Sequence, residues 1–411
     1  MNARRNLVLI FISAFLRSAS VGLLGVILAV YLARIGLSPS EIGFVLTAGL
    51  AGSAAATAAV SRYGEQFGRR RVLFAAAVVS ACGGVALALV HSPAALIALA
   101  FACMLNGMGT DRSVAFAVEQ AIIPGLVNDR TRTWALSWYN VVLDTSGALG
   151  ALAGALPVAL AAWQHVAIIT AYRGVFVAFV ALNLAAALLY VLLDANVEAA
   201  PAPQLQPGGN AITQASKRLV WRIAALFALD AAGGGLLADS LMAYWFFHRF
   251  GVNEETLGLL FFVVRILNGI SHLGAAWLAR RIGLVRTMVF THLPSSIFLL
   301  VVPLAPTFTI SAIFLFLREA LVEMDVPTRQ SYVAAVVAPH ERVYASSVTS
   351  LTRTGAWAVT AALAGELMQR VAFSAPLLLG AGLKIAYDFL LYRSFIHVTP
   401  PEEQSAADQA K

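Results

Sequence analysis

Ala33–Gly43 reads ARIGLSPSEIG, and His248–Gly258 reads HRFGVNEETLG. Arg34, Gly36 and Gly43 of the first stretch recur as Arg249, Gly251 and Gly258 of the second, always 215 positions later. Gly68 with Gly283 and Arg71 with Arg286 keep that spacing, and Gln120 with Gln330, Arg132 with Arg342 and Ala135 with Ala345 follow at 210. Chance supplies one such pair easily but not an ordered series, so the chain reads as a duplication of one unit about 200 residues long.

Composition says what each copy is made of. Of 411 residues, 60% are hydrophobic and 12% charged, where a soluble domain carries about 25% charged residues. A membrane span takes roughly 20 mostly apolar residues. Such runs are expected near 7–33, 41–61, 72–91, 94–124, 134–160 and 166–193, and again near 219–247, 255–278, 287–305, 307–338, 343–368 and 375–396. They are continuous, unlike the alternating segments of a membrane β-barrel. The expected fold is therefore an all-α membrane protein, with twelve transmembrane helices in two pseudo-symmetric six-helix bundles. The bundles are 1–193 and 219–396, joined by a Pro-, Gly- and polar-rich linker at 194–218 and followed by a tail at 397–411. The first run, behind the basic start MNARR, closes on no small-residue cleavage site and is read as a retained span.

The net charge of +7 would point to nucleic acid in a soluble chain. Here the positives gather in alternate short loops, among them Arg4, Arg5, Arg69 to Arg71, Arg130, Arg132, Lys217, Arg218, Arg280, Arg281, Arg286 and Arg342. This is the positive-inside pattern, which makes the bilayer rather than nucleic acid the partner and places both termini and the linker in the cytoplasm. Cys82 and Cys103 lie in apolar runs, as small buried thiols rather than a disulfide or zinc site. The sequence carries no H-E-x-x-H, G-x-S-x-G or nucleotide-binding Gly loop, so it does not read as an enzyme, and no cofactor or metal is expected.

Ser61–Val72 reads SRYGEQFGRRRV and resembles the signature loop of the major facilitator superfamily, G-x-x-x-D-R/K-x-G-R-R/K. Gly68, Arg69 and Arg70 match, Glu65 takes the acidic place, and Ser61 and Gln66 depart. The second copy, AWLARRIGLVR at Ala276–Arg286, keeps Gly283 and puts Arg280 where the acid would stand. MDVPTRQSYVAAVVAPHERVYASSV, Met324–Val348, is similar to the tenth-span end and following loop of efflux-permease-like members. The resemblance implies secondary active transport of a small organic solute by alternating access, with the first, fourth, seventh and tenth spans around a central cavity. It implies proton-coupled efflux ahead of proton-coupled uptake of an anionic or zwitterionic metabolite; a transport-inactive sensor or scaffold is the reading from another class. It also implies a conformational latch at Glu65, Gly68, Arg69, Arg70, Gly283 and Arg286, with Glu65 facing Arg69. Where antiporters of the superfamily carry an Arg ahead of a Gly-rich turn in the fourth span, this chain has Cys103 before NGMG, Asn106–Gly109, which leaves Arg112 to take over that role. GALGALAGALP, Gly147–Pro157, resembles a weak form of their Gly-rich fifth helix. A functional monomer in a bacterial inner (cytoplasmic) membrane is expected.

A charge at the bilayer centre costs about 2.5 to 3.5 kcal/mol, against roughly 0.3 to 0.6 gained per apolar residue. Charges that persist there should face water or one another. The substrate and coupling candidates are Arg17 in the first span; Asp111, Arg112 and Glu119 in the fourth; Asp144 in the fifth; Asp230 and Asp239 in the seventh; Arg265 in the eighth; and Arg318, Glu323 and Asp325 in the tenth. Read as one continuous helix, the fourth span puts Arg112 and Glu119 on a single face. Arg112 leads as substrate anchor, and Asp111, Glu119, Asp230 and Asp239 lead as proton acceptors. The arginines, Arg353 included, suit an anionic or zwitterionic solute. The duplication sets Glu119 against Arg329 and Arg17 against Asp230, which invites salt bridges between the halves. His272 reads as a buried hydrogen-bonding group, and Lys384 with Asp388 as an i,i+4 pair.

Overall fold

The computed structural model describes residues 2–110, 113–127, 129–198, 214–337 and 342–395, and every regular element among them is helical. The first copy holds α1 (Asn2–Arg34), α2 (Pro39–Phe67), α3 (Arg69–Leu89), α4 (Pro93–Cys103), α5 (Val114–Leu126), α6 (Asp129–Leu152), α7 (Leu156–Gln164) and α8 (Ile168–Val191). The second holds α9 (Gln214–Gly235), α10 (Asp239–Phe250), α11 (Glu254–Ile282), α12 (Leu284–Val301), α13 (Phe308–Val322), α14 (Asp325–Val336), α15 (Arg342–Arg370) and α16 (Ala375–Phe395).

The two repeated stretches prove to be the same device, a helix stop followed by a helix start. After α1, the Leu37 N–H donates to the Leu32 carbonyl and the Gly36 N–H to that of Ala33, both at 3.0 Å, closing a Schellman motif on Gly36 at φ 95°. Ser38 and Glu41 then form a capping box: the Ser38 N–H donates to the Glu41 carboxylate at 2.7 Å, and the Glu41 N–H to Ser38 Oγ at 3.4 Å. In the second copy Gly251, φ 64°, closes α10, and Asn253 Oδ1 accepts from the Thr256 N–H at 3.0 Å. The stretches also hold each other. Arg34 donates through Nε and Nη2 to the two oxygens of buried Glu254, at 2.6 and 3.1 Å, and the Tyr172 hydroxyl adds a third bond at 2.7 Å. Gly43 lets α2 touch α15, where its Cβ would stand 3.0 Å from the Gly365 Cα, and Gly258 does the same for α11 on the Ala151 carbonyl, also 3.0 Å.

Four predicted spans are interrupted. The fourth, expected to run unbroken over 94–124, stops at Met104 in the left-handed region (φ 54°) and restarts where Ser113 Oγ accepts the Phe116 N–H. The seventh breaks between Gly235 and Asp239. The tenth breaks at Glu323 and Met324, where the Val326 N–H donates to the Glu323 carbonyl at 3.3 Å in a tightened turn and the proline at 327 has no N–H to give it. The fifth tightens into a 3-10 turn at Ala153–Ala155 ahead of Pro157. Among the described residues, eight helices are long and apolar enough to cross a membrane. The fourth and tenth spans fall short because they are divided.

The chain forms two compact units. One comprises Met1–Pro203 with Ala238–Arg265 and Ala361–Phe373; the other comprises Gln204–Leu237, Ile266–Thr360 and Ser374–Lys411. Each has an apolar core from equivalent spans: Ile10, Leu73, Val118, Tyr139 and Tyr190 in the first, Ile223, Met288, Tyr332, Ala345 and Tyr387 in the second. Cys103 is buried as expected, whereas Cys82 is exposed on the outer face of α3.

Three glycine variants separate the causes. Gly36→Ala meets no neighbour within 4 Å, so only its φ of 95° opposes the change, at about 1 kcal/mol. Gly43→Val must also push α15 away and should lower the thermal midpoint further. Gly355→Ala, helical and in open space, should hold or raise it. Thermal unfolding in detergent checks that order.

Candidate functional site

Glu119 on α5 is fully buried and has both oxygens occupied. Arg17 of α1 pairs with Oε2, the Tyr139 hydroxyl of α6 donates to the same oxygen at 2.6 Å, and the Tyr190 hydroxyl of α8 donates to Oε1 at 2.6 Å. Arg17 is buried too, and donates onward to Ser113 Oγ at 3.1 Å, the residue that caps α5. A buried ion pair is stable only when its remaining lone pairs and protons find partners. The two tyrosines meet that need for the carboxylate and tie four spans of one unit to a single group.

The second unit builds the counterpart with the signs reversed. Asp230 on α9 stands where Arg17 stands in the first copy, and Arg329 on α14 where Glu119 does. Arg329 donates to Asp230 Oδ2 at 3.0 Å, Arg353 of α15 to the same oxygen at 3.1 Å, and Lys384 of α16 to Oδ1 at 2.7 Å. His292 of α12 turns Nε2 to Asp230 Oδ1 at 3.4 Å and Nδ1 to both oxygens of Asp388, at 2.9 and 3.0 Å. Asp325 lies 3.0 Å from Arg329 Nη1. The expected salt bridges between the halves, Glu119 to Arg329 and Arg17 to Asp230, are thus corrected: each of these groups finds its counter-charge inside its own unit. The expected Lys384 pairing with Asp388 is also replaced, since the lysine serves Asp230 and the aspartate serves His292.

A third constellation gathers at the break of the fourth span, within the first unit. The Asn106 side chain spans the turn, its Nδ2 donating to the Thr110 carbonyl and its Oδ1 accepting from the Met108 N–H, both at 2.8 Å. The start of α10 lies against it. The Ser240 N–H donates to the Gly107 carbonyl at 3.1 Å, and Ser240 Oγ to the Gly25 carbonyl at 3.0 Å. Asp239 pairs with Arg265 of α11, which also reaches the Met108 carbonyl at 3.4 Å. A side chain at Gly109 would collide with both Asp239 and Arg265, so the backbone can approach this pair only as glycine.

Of the remaining candidates, Arg318 pairs with its neighbour Glu319, Glu323 caps α13, and Asp144 is half-buried on α6. Asp111 and Arg112 lie outside the described residues, as do the side chains of Glu65 and His272. With α4 ending at Cys103 and α5 beginning at Val114, the fourth span is not the one continuous helix expected. At the signature loop Gly68 precedes α3 with φ 86°, and the acid at that helix end is Glu198, which accepts from the Arg69 N–H at 2.6 Å and the Arg70 N–H at 3.4 Å. A carboxylate there complements the helix dipole. Gly283 takes the same conformation, φ 87°, before α12, and Arg286 is exposed. Sequence reasoning missed Tyr139, Tyr190, Glu198, Glu254 and His292; only the last had a signal, the polar run THLPSS, Thr291–Ser296, inside an apolar span.

The profile of the Major Facilitator Superfamily matches residues 10–322. The chain belongs to this superfamily. The uncharacterized membrane protein YJR124C of Saccharomyces cerevisiae is 24% identical to it over 96% of this chain and 95% of that protein. Among solved structures, the xylose transporter XylE from E. coli, in a partially occluded inward-open conformation, superposes with a TM-score of 0.74 at 14% identity, covering 98% of this chain and 99% of its own. The nucleoside transporter NupG gives 0.68 at 12%, covering 96% and 99%. The superfamily member described here is a multi-pass membrane protein with the twelve-helix fold, a secondary transporter of small solutes and not an enzyme.

The buried pair of the first unit gives a double-mutant test. Glu119→Leu alone strands a buried guanidinium and should cost about 3 to 5 kcal/mol, and Arg17→Leu alone strands the carboxylate at similar cost. The double variant should be closer to wild type than either single one. Denaturation midpoints in detergent that simply add would show that the two side chains are not coupled.

Proposed function

We propose that this transporter exports a small organic solute carrying an anionic or zwitterionic group, coupled to protons, as a monomer in a bacterial cytoplasmic membrane. The halves of the proposed machine are the six-helix bundles 1–193 and 219–396, with the linker 194–218 and both termini in the cytoplasm.

The observation that carries this reading is the interruption of the fourth, seventh and tenth spans, each beside ionisable side chains. A broken membrane helix exposes unpaired N–H and C=O groups where its pieces meet, and such breaks mark substrate and ion sites in transporters of this kind. At the first break, Arg265 is held by Asp239 and the Met108 carbonyl. A carboxylate on the solute competes with Asp239 for that guanidinium, so solute binding and the clasp between α10 and the turn exclude one another. Arg112, next in sequence to the cap of α5, is the proposed second contact for the anionic group. Asp111, Asp144, Glu323 and Asp325 complete the proposed solute and proton path, and Arg318 supports it. The latch lies at Glu65, Gly68, Arg69, Arg70, Gly283 and Arg286, to which we add Glu198.

The reading is tested on purified protein by thermal stabilisation across about pH 5 to 8, with monocarboxylates, amino acids, nucleosides, pentoses and lipophilic cationic dyes as probes. Carboxylate-bearing compounds should stabilise wild type, and Arg112→Ala should bind them about tenfold or more weakly, as expected for loss of a charge-assisted bond. Stabilisation by the dyes alone would remove the anionic reading. In proteoliposomes, accumulation of the same compounds down an imposed proton gradient, in place of their extrusion, would replace export by uptake.

A further inference from the structure

The buried groups left over by this account are those around His292. This ring is 1% exposed, on a span that the superfamily's cavity does not require, and it stands between two carboxylates. A carboxylate only accepts, so the nitrogen facing Asp388 on both oxygens, Nδ1, carries a hydrogen. The open question for the ring is Nε2. It faces Asp230 Oδ1 at 3.4 Å and Lys384 Nζ at 3.5 Å, while Lys384 itself donates to that oxygen at 2.7 Å. Without a proton Nε2 can accept from the ammonium; with one it donates to Asp230. Both states have a partner already in place.

We propose that His292 Nε2 is a proton-binding site of this transporter, and that it exchanges with Arg353 as the compensating charge on Asp230. The inference rests on the proton-coupled reading above and gives it a location. Among the described residues, Asp388 and Lys384 from α16 and Asp230 from α9 face the ring, and Asp230 in turn meets Arg329 from α14, itself paired with Asp325, and Arg353 from α15. Tyr387 lies edge-on to the ring at 5.6 Å, and on α13 Arg318 and Glu319 pair with each other. Three carboxylates then meet three fixed cations, which is balance with a neutral ring. One more proton unbalances a buried cluster, at a high cost in free energy. Uptake becomes favourable once one fixed cation withdraws.

Arg353 is the cation placed to withdraw. Its side chain is 16% exposed, against 7% for Arg329 and 8% for Lys384, and its guanidinium lies 5.0 Å over the Trp357 ring, a second resting place for the charge. It rides on α15, whose residues to Thr360 belong to one compact unit and whose continuation from Ala361 belongs to the other. With Arg353 drawn off Asp230, a proton from water adds to the Nε2 lone pair and restores balance; when Arg353 returns, the proton leaves.

The test is a titration of full-length protein in nanodiscs with histidine-selective isotope labelling. The chain has seven histidines, and the His292 signal is the one lost in His292→Gln, or displaced in Asp388→Asn should the first variant not fold. The expected result is an Nε2 resonance that passes from bare to protonated between about pH 9 and pH 5. Its midpoint should lie about one pH unit or more higher in Arg353→Gln, where one cation facing Asp230 is gone. A ring that keeps one tautomer throughout, or that titrates identically in Arg353→Gln, overturns the proposal. Lumenal pyranine in proteoliposomes, driven by gradients of the compounds that stabilise the protein, reads the broader coupling separately. A moving proton signal with an inert His292 sinks the site and keeps coupling; a titrating His292 that follows residue 353, with a flat pyranine trace, keeps the site and sinks coupling.

Discussion

An ionised carboxylate sealed from both water and lipid has to be neutralised where it stands, and this structure is arranged around meeting that requirement twice. Glu119 in one unit and Asp230 in the other are each closed by bases and hydrogen-bond donors from their own unit. The consequence for a transporter is mechanical. If these charges were balanced across the halves, separating the halves would strand them at several kcal/mol each. Balanced inside its own unit, each carboxylate stays neutralised without help from the other unit.

The contacts that do join parts of the two repeats are of another kind. Arg34 on Glu254, Ser240 on the Gly25 carbonyl and Gly43 against Gly365 are short, dense and built largely from backbone and glycine. Arg34 is the most exposed member of these ion pairs, at 27% for its side chain, and water can take over its hydrogen bonds when the contact opens. Glycine surfaces need only separate, with no side chains to disentangle. Contacts between the repeats are therefore rehydratable or featureless, whereas the two buried carboxylates are saturated.

Much of this was legible before any coordinates. The duplication could be read from Gly36, Gly43, Gly68 and their partners 215 positions on, because a left-handed or tightly packed backbone position admits few substitutes, and the structure shows these glycines in those roles. Span order followed from apolar runs. The breaks did not follow from hydropathy, which is blind to backbone direction, although NGMG at Asn106–Gly109 and the glycines Gly233 to Gly235 stand at two of them. The ionisable residues inside spans were found, but their partners were misassigned. Equivalence under the repeat says which positions correspond, and it was taken as saying which positions meet. Tyr139 and Tyr190 escaped for a related reason, as an aromatic side chain in an apolar run looks like core until its hydroxyl is seen on a carboxylate.

The reversal of sign between the two repeats gives the halves different work. In the first, one carboxylate is held by one guanidinium and two phenols, and both its oxygens are filled. That group is a brace. In the second, placing the acid on the equivalent of α1 leaves three other spans free to contribute a base each, and α12 adds an imidazole that can donate in place of any of them. Asp230 is thus met by three fixed cations with the imidazole as a conditional fourth donor beside them, and a conditional donor is what allows one to leave while another arrives. Two copies of one ancestral bundle have in this way divided rigidity and exchange between them, through the choice of which helix carries the negative charge.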